Sequence, residues 1–379
     1  MIFRQYFLLL STFLLLNVTA QFTQAEESDF ANAALTPFWQ AQPMIESMFF
    51  IQSTAEQPPS SRFLFKPSKI LKVVSATQVT VFAEGRDYLL SDDGRSLTLP
   101  PDSRIPFKTQ EEMFPLMTSE APKIARQAGD KSRGIFFDNK AGYHQLQVEV
   151  TYECTPNQWQ GPVPEYVGSA LPNFMKKLRD KRPVKIFLSG DSISEGYNAS
   201  DFTDATPRCP AYGELFALAV ERKFGSPVTF KNFAVGGWQS SQGVQQATDE
   251  KLALEKPDLV IIAYGMNDVF RKDAAAYQNN IKQLIDIFRA DSPDTEFILI
   301  ATMLGNVEWG MPMEQFDLYR NALQQLTGQG IVLADLTSIW RELLKHKSFY
   351  DLTGNGVNHP NDCGHRFYAQ VLMAMLSQN

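Results

Sequence analysis

Positive charge is in short supply: 35 Lys and Arg stand against 42 Asp and Glu in 379 residues, a formal net charge of −7. That balance gives no basic field for nucleic acid and speaks only for solubility. Cysteine is scarce too, with Cys154, Cys209 and Cys363 making an odd count of three. In an exported chain an odd count leaves at least one thiol unpaired. Neither G-x-x-x-x-G-K-[ST] nor G-x-G-x-x-G occurs, so neither standard glycine-rich phosphate loop is present. Past the first twenty residues no apolar run is long enough to cross a bilayer. Internal repeats and low-complexity tracts are also missing.

What is present divides by composition. Residues 1–20 place Arg4 before the apolar run Phe7–Leu16 and the small-residue stretch Val18-Thr19-Ala20, the pattern of a cleaved secretory signal. No membrane attachment is expected after cleavage, and the product is expected to be periplasmic or secreted. Residues 21–60 are polar and end in Gln57-Pro58-Pro59-Ser60-Ser61, which predicts a partly ordered lead-in. From 61 to about 165 the pattern is β. Asp93-Gly94 lies between Tyr88-Leu89-Leu90 and Leu97-Thr98-Leu99, a hairpin signal. In Gln145–Tyr152, Leu146, Val148, Val150 and Tyr152 alternate with polar residues, as in a half-buried antiparallel strand. A small antiparallel β-sandwich domain is expected here. Its one histidine, His144, reads as a surface or strand-edge residue.

The stretch Thr155–Pro172 carries Pro156, Gly161, Pro162, Pro164 and Pro172 and reads as a boundary linker. From 175 to 379 strand and helix patterns alternate, which predicts an α/β domain with a parallel sheet. Strands are expected at Val184–Leu188, Val228–Phe233, Leu259–Ala263, Phe297–Ala301 and Ile331–Ala334. Helices are expected at Tyr212–Phe224, Gln242–Leu254, Ala274–Ala290, Gln315–Thr327 and from about His365 to Leu376.

The candidate chemistry follows the strand ends. The first strand runs into Ser189-Gly190-Asp191-Ser192, which puts the Ser192 hydroxyl where open α/β sheets bind ligands. The second runs into Asn232-Phe233-Ala234-Val235-Gly236-Gly237-Trp238, and a glycine pair lets backbone N–H groups approach a ligand. The third runs into Tyr264-Gly265-Met266-Asn267-Asp268, where Asn267 can donate through its amide. His359 precedes Pro360 on a loop ahead of the last helix. Taken singly, each has an ordinary structural reading as a turn or cap. Together they are the parts acyl transfer needs. Histidine takes the serine proton. The Ser192 and Gly237 N–H groups and the Asn267 amide meet the oxyanion. A disulfide between Cys209 and Cys363, both near this site, and three free thiols are alternative readings.

Gly190-Asp191-Ser192, Asn232 through Gly237, Gly265-x-Asn267-Asp268 and His359-Pro360-Asn361 together resemble the four blocks of the SGNH, or GDSL-type, hydrolase superfamily. The resemblance covers about 183–379 and implies a flavodoxin-like three-layer fold and ester hydrolysis with no metal or cofactor. It implies Ser192 as nucleophile, His359 as base, and Ser192, Gly237 and Asn267 as the oxyanion hole. The family usually carries an aspartate three residues before the histidine, and here that position is Gly356. The acceptor that fixes the His359 tautomer is then to be sought in Asn355, Asn358, a backbone carbonyl or Asp351. A β-domain ahead of such a hydrolase resembles certain carbohydrate acetyl esterases, which implies O-acetyl groups on a saccharide as substrate. Trp238, Tyr197 and Trp309 offer stacking faces or are ordinary core and rim aromatics. The competing readings are a lipase or thioesterase acting on acyl chains, a carbohydrate-binding protein with a degenerate hydrolase domain, and metal hydrolysis through His359, Cys363 and His365. The last has unconventional ligand spacing.

Overall fold

The computed structural model describes residues 24–377. The secretory signal expected for 1–20 lies outside them. The strands are β1 (Met44–Gln52), β2 (Ser60–Arg62), β3 (Pro67–Ser75), β4 (Val81–Phe82), β5 (Leu89–Leu90), β6 (Ser96–Thr98), β7 (Phe107–Thr109), β8 (Lys123–Ala125), β9 (Gly134–Phe136), β10 (Gln147–Cys154), β11 (Val184–Gly190), β12 (Val228–Asn232), β13 (Leu259–Ala263), β14 (Glu296–Ala301) and β15 (Ile331–Asp335). The helices are α1 (Gln24–Leu35), α2 (Gln110–Met113), α3 (Gly142–Leu146), α4 (Pro172–Arg179), α5 (Ser192–Glu195), α6 (Tyr212–Phe224), α7 (Ser240–Asp249), α8 (Ala274–Asp291), α9 (Met313–Gln324), α10 (Leu336–His346), α11 (Phe349–Leu352) and α12 (Asp362–Leu376). Among the described residues no helix is long and apolar enough to cross a membrane.

The C-terminal half holds a five-stranded parallel sheet in the order β12-β11-β13-β14-β15. This is the doubly wound order that reverses direction beside its first strand. β13 and β14 are buried throughout, as strands covered on both faces must be. The connections put α6 on one face and α7, α8 and α9 on the other, as right-handed crossovers require. α6 packs with α12 and α1, while α7, α8 and α9 pack in series. The switch point falls between β11 and β13, so the loops carrying Ser192 and Asn267 open from adjacent strand ends.

The N-terminal half corrects two expectations. Residues 21–60 are not merely a lead-in: they supply α1 and also β1, which lies inside the N-terminal sheet. Polar composition hid β1, because the apolar run of Met48, Phe49, Phe50 and Ile51 is short and Glu46 and Ser47 interrupt its start. Eight of the N-terminal strands also form one hydrogen-bonded path, β4-β3-β10-β1-β2-β6-β5 with β7 on β1, and β8 pairs with β9 apart from it, where a two-sheet sandwich was expected. Its two halves share β1. The first part of β1 pairs antiparallel with β10, and its end pairs with β2 and, in parallel, with β7.

This sheet is not a separate body. One hydrophobic core runs from Phe38, Tyr152 and Trp159 to Phe187, Ile261 and Trp340. A smaller cluster of Phe49, Met113, Phe136, Tyr143 and Tyr350 joins β1, α2, β9 and α3 to α11. The polar face of β10 meets protein instead of water. Gln147 is 1% exposed and donates to the carbonyls of Tyr350 (3.0 Å) and Thr353 (2.8 Å). Glu149 pairs with Arg366 of α12.

A buried ionic cluster ties the same surfaces together. Lys347 Nζ lies 2.8 Å from Glu46 and 3.3 Å from Asp351, with all three side chains at 1% exposure or less. Tyr152 donates its hydroxyl to Glu46 at 2.7 Å. The two carboxylates hold the Lys347 pKa above its ordinary value against the opposing effect of burial. Removing the cation strands two carboxylates in a dry interface, and breaking a buried pair this way costs about 3–5 kcal/mol. Lys347→Met is expected to lower unfolding free energy by that amount in urea titration, whereas a solvent-facing pair such as Lys282–Asp286 should cost about 1 kcal/mol or less when broken.

Candidate active site

Ser192 begins α5, directly beyond β11. Asp191 caps that short helix, accepting the Ile193 N–H at 3.0 Å. Gly190 is required by packing, since a Cβ there would lie 2.3 Å from Ser194 Oγ and 2.9 Å from the Ala263 carbonyl. Burial pushes the Asp191 carboxyl up to about 7, and the buried Asp268 carboxylate adds to the shift. Asp268 accepts from the N–H and the hydroxyl of Ser240 and so anchors the turn after β13 to the start of α7.

His359 Nε2 lies 2.9 Å from Ser192 Oγ. The imidazole is 6% exposed, and burial, helped by neighbouring His365, lowers its pKa to about 3. Tyr197 covers it edge-on at 5.1 Å between ring centroids. At the opening, Gly237 has φ +79° and nothing within 4 Å of where a Cβ would sit, so its backbone borders open space. Asn267 donates one amide hydrogen to the Trp238 carbonyl at 2.9 Å, and its other amide hydrogen remains for a ligand. Glu195 accepts the Gly236 N–H and fixes the glycine turn. Ser192, Gly237, Asn267 and His359 thus gather at one edge of the sheet.

The orienting group differs from expectation. Asp351 does not reach His359. Its Oδ1 accepts from the Phe49 N–H (2.7 Å) and the Ser61 hydroxyl (2.9 Å), and its Oδ2 accepts from the Ser348 N–H (3.0 Å) beside Lys347. Asn358 accepts from Asn355 at 3.2 Å and makes no direct bond to the ring. Asn355 Nδ2 lies 2.9 Å from His359 Nδ1, and Asn198 Oδ1 lies 2.8 Å from the same atom. Sequence reasoning missed Asn198. Its signal was its place six residues after Ser192 in the turn Gly196-Tyr197-Asn198.

The vacancy of the usual aspartate position has a steric cause. Gly356 has φ +83°, and a Cβ there would lie 2.2 Å from the Tyr143 hydroxyl and 2.6 Å from the Phe136 carbonyl. That hydroxyl donates to that carbonyl at 2.7 Å. The N-terminal region therefore occupies the space a side chain would need.

Other expectations also change. Cys154, Cys209 and Cys363 are all free and buried, so the Cys209–Cys363 disulfide does not form. Burial pushes the Cys363 thiol up to about 11. His365 does not join His359 and Cys363 around a common point: its Nδ1 faces the Tyr212 N–H at 3.4 Å and its Nε2 the Tyr197 carbonyl at 3.5 Å. Among the described residues no three His, Cys, Asp or Glu side chains form a metal-sized cluster. His144 is buried, not at the surface, and bonds the Thr206 carbonyl at 2.7 Å. Trp238 packs on the core, and Trp309 pairs edge-on with exposed Phe270 at 5.5 Å.

Residues 188–367 match the GDSL-like Lipase/Acylhydrolase family. The matched stretch is just under half of the chain. No curated protein matches the chain by sequence. Among solved structures, similarity is found to a two-domain esterase active on acetylated mannans, at 19% identity and TM-score 0.45, over 57% of this chain and 55% of that one. The match thus spans about half the length of that esterase. A lipase from a goat rumen metagenome is similar at 16% identity and TM-score 0.42, over 51% of this chain and 97% of that one. A family 3 carbohydrate esterase from Talaromyces cellulolyticus is similar at 18% identity and TM-score 0.40, over 50% and 94% respectively.

Gly356→Asp would restore the residue type usual in this family, yet it is expected to fail as a repair. A non-glycine residue at this positive φ costs about 1–3 kcal/mol, before the collision with Tyr143. Thermal unfolding should show the loss, with no gain in turnover of any ester.

Proposed function

We propose that the protein is a serine esterase that removes short acyl groups, in the first place O-acetyl groups, from carbohydrates. The observation that carries this reading is the 2.9 Å contact of Ser192 Oγ with His359 Nε2 at the switch point of the sheet. His359 takes the Ser192 proton as Oγ attacks the acyl carbonyl carbon. The tetrahedral oxyanion is met by the N–H groups of Ser192 and Gly237 and the free amide hydrogen of Asn267. The imidazolium then returns its proton to the departing sugar oxygen as the C–O bond breaks, leaving an acyl-serine. Water, deprotonated by the same imidazole, attacks that ester. Acetate leaves, and Ser192 regains its proton.

Burial supports the step. In a dry site the donors act on the developing charge at low dielectric. The saccharide reading is supported by aromatic pairs near the opening. Tyr197 lies against Phe202 at 4.5 Å, and Phe270 lies against Trp309 at 5.5 Å. Phe202 and Phe270 are exposed. Trp309 stands three residues past Asn306, whose amide binds the Gly356 carbonyl on the histidine loop at 2.8 Å.

The test is acetate release from a panel of acetylated glycans beside p-nitrophenyl esters of rising chain length. Faster turnover of the glycans and of acetyl over longer esters is expected; preference for long chains would favour a lipase or thioesterase. A fluorophosphonate should label Ser192, and Ser192→Ala should abolish both labelling and turnover. Asn267→Ala should lower kcat by about 10²–10³.

The pH profile follows from the sign of the histidine shift. A base works unprotonated, and a pKa lowered to about 3 keeps His359 neutral down to that region. An ordinary imidazole at 6.5 would be roughly 97% protonated at pH 5. The profile of kcat/KM should therefore stay flat through 6.5 and at pH 5 remain close to its value at pH 7.

A further inference from the structure

We propose that Asn198 is the positioning residue that holds His359 in its base-competent tautomer, taking the place of the carboxylate that Gly356 cannot provide. This rests on the serine esterase reading above. Two amides meet at one ring atom: Asn198 Oδ1 at 2.8 Å and Asn355 Nδ2 at 2.9 Å from His359 Nδ1. Nδ1 can donate to the first or accept from the second, and cannot do both. The choice fixes Nε2. If Nδ1 carries the proton, Nε2 is bare and accepts from Ser192. If Nδ1 is bare, Nε2 donates to Ser192 and no base is present.

The surrounding hydrogen bonds decide between these. Asn355 is held with its oxygen away from the ring, because Oδ1 accepts from the N–H groups of Val357 (2.9 Å), Asn358 (3.0 Å) and His359 (3.2 Å). Its amide hydrogens have other acceptors, Asn358 Oδ1 at 3.2 Å and Asn139 Oδ1 at 3.4 Å. Asn355 therefore does not need Nδ1. Asn198 is held with its oxygen toward the ring, because Nδ2 donates to the Lys140 carbonyl at 3.2 Å. Asn198 is 4% exposed, so water is a poor substitute donor for its Oδ1. A proton on Nδ1 satisfies every one of these groups. A bare Nδ1 leaves the Asn198 oxygen buried without its donor, an arrangement proteins avoid.

The same geometry serves the next step. Once His359 has taken the Ser192 proton, both ring nitrogens carry hydrogen, and Asn198 Oδ1 is the acceptor facing Nδ1. The residue sits at φ +64°, a left-handed conformation that asparagine and aspartate tolerate better than most. Lys140 comes from the N-terminal region, so that region's backbone holds the amide in place. Because the acceptor is neutral, nothing there offsets the burial that keeps the imidazole pKa low.

Three measurements test this on the full chain. In wild-type protein labelled with ¹⁵N-histidine, His359 Nδ1 should show the shift of a protonated nitrogen and Nε2 that of a bare one at neutral pH. Asn198→Ala should lower kcat by about 10²-fold or more and change KM by less than about threefold. Asn198→Asp puts a carboxylate beside the ring and should move the acid limb of kcat/KM upward by about one pH unit or more, a change that a merely structural residue would not cause. A bare Nδ1, a kcat within about threefold of wild type in the alanine variant, or an unmoved limb in the aspartate variant would each overturn the assignment. Ser192→Ala separates the two levels of inference. Turnover surviving that change removes the esterase reading itself, whereas its loss alongside an unaffected Asn198→Ala removes only the role of Asn198. The tautomer measurement needs neither activity nor a variant, so it stands even if a substitution prevents folding.

Discussion

The structure depends on the seating of the N-terminal sheet against a loop with almost no regular structure of its own. Residues 353–361 carry the histidine; the isolated bridge Thr353–Pro360 closes the loop, and the Asn355 side chain ties its backbone from within. Further constraints come from outside. Gln147 holds the carbonyls of Tyr350 and Thr353, Ser47 accepts from Asn361, and the Tyr143–Phe136 pair fills the space beside Gly356. Asp351, a candidate orienting group from the sequence, instead anchors β1 through the Phe49 N–H. A chain of buried polar contacts of this kind is costly unless every member is satisfied. The ionic group of Lys347, Glu46 and Asp351 sits in the same interface.

Burial sets the electrostatics of the site. A histidine loop covered by a second layer of protein is dry, and dryness acts in opposite senses on opposite charge types. It lowers the imidazole pKas of His359 and His365 and raises the carboxyl pKas of Asp191 and Asp268. Each of these groups is pushed toward its neutral form. The groups around His359 Nδ1 are amides, which suits a region that does not tolerate unpaired charge. The N-terminal sheet is in this sense a wall of the candidate site and not a separate module joined by a tether.

Much of the C-terminal half is legible because its elements are periodic. Leu259–Ala263 and Tyr212–Phe224 were read with their observed limits, and the other four strands of the parallel sheet lay within two residues at either end. Ser192, Gly237, Asn267 and His359 were legible because strand ends and turn glycines mark where a parallel sheet presents ligands. Harder to read were elements whose composition reflects their partners. β1 reads as a polar lead-in, since Glu46 and Ser47 look like solvent residues until Lys347 and Asn361 are placed against them. The sequence reading places no helix at 336–346, although these residues form α10.

The residues alone determined the parallel sheet, the order of its loops and the candidate groups that those loops carry to its edge. Those features follow from local periodicity and from turn geometry, both encoded over short spans of chain. The partner of the imidazole, the state of the thiols and the joining of two halves into one core were decided only in three dimensions. They rest on contacts between segments far apart in sequence: Asn198 with His359, Asp351 with Phe49, Tyr143 beside Gly356. Such pairings leave no periodic trace, because each depends on which surfaces the folded sheets bring together.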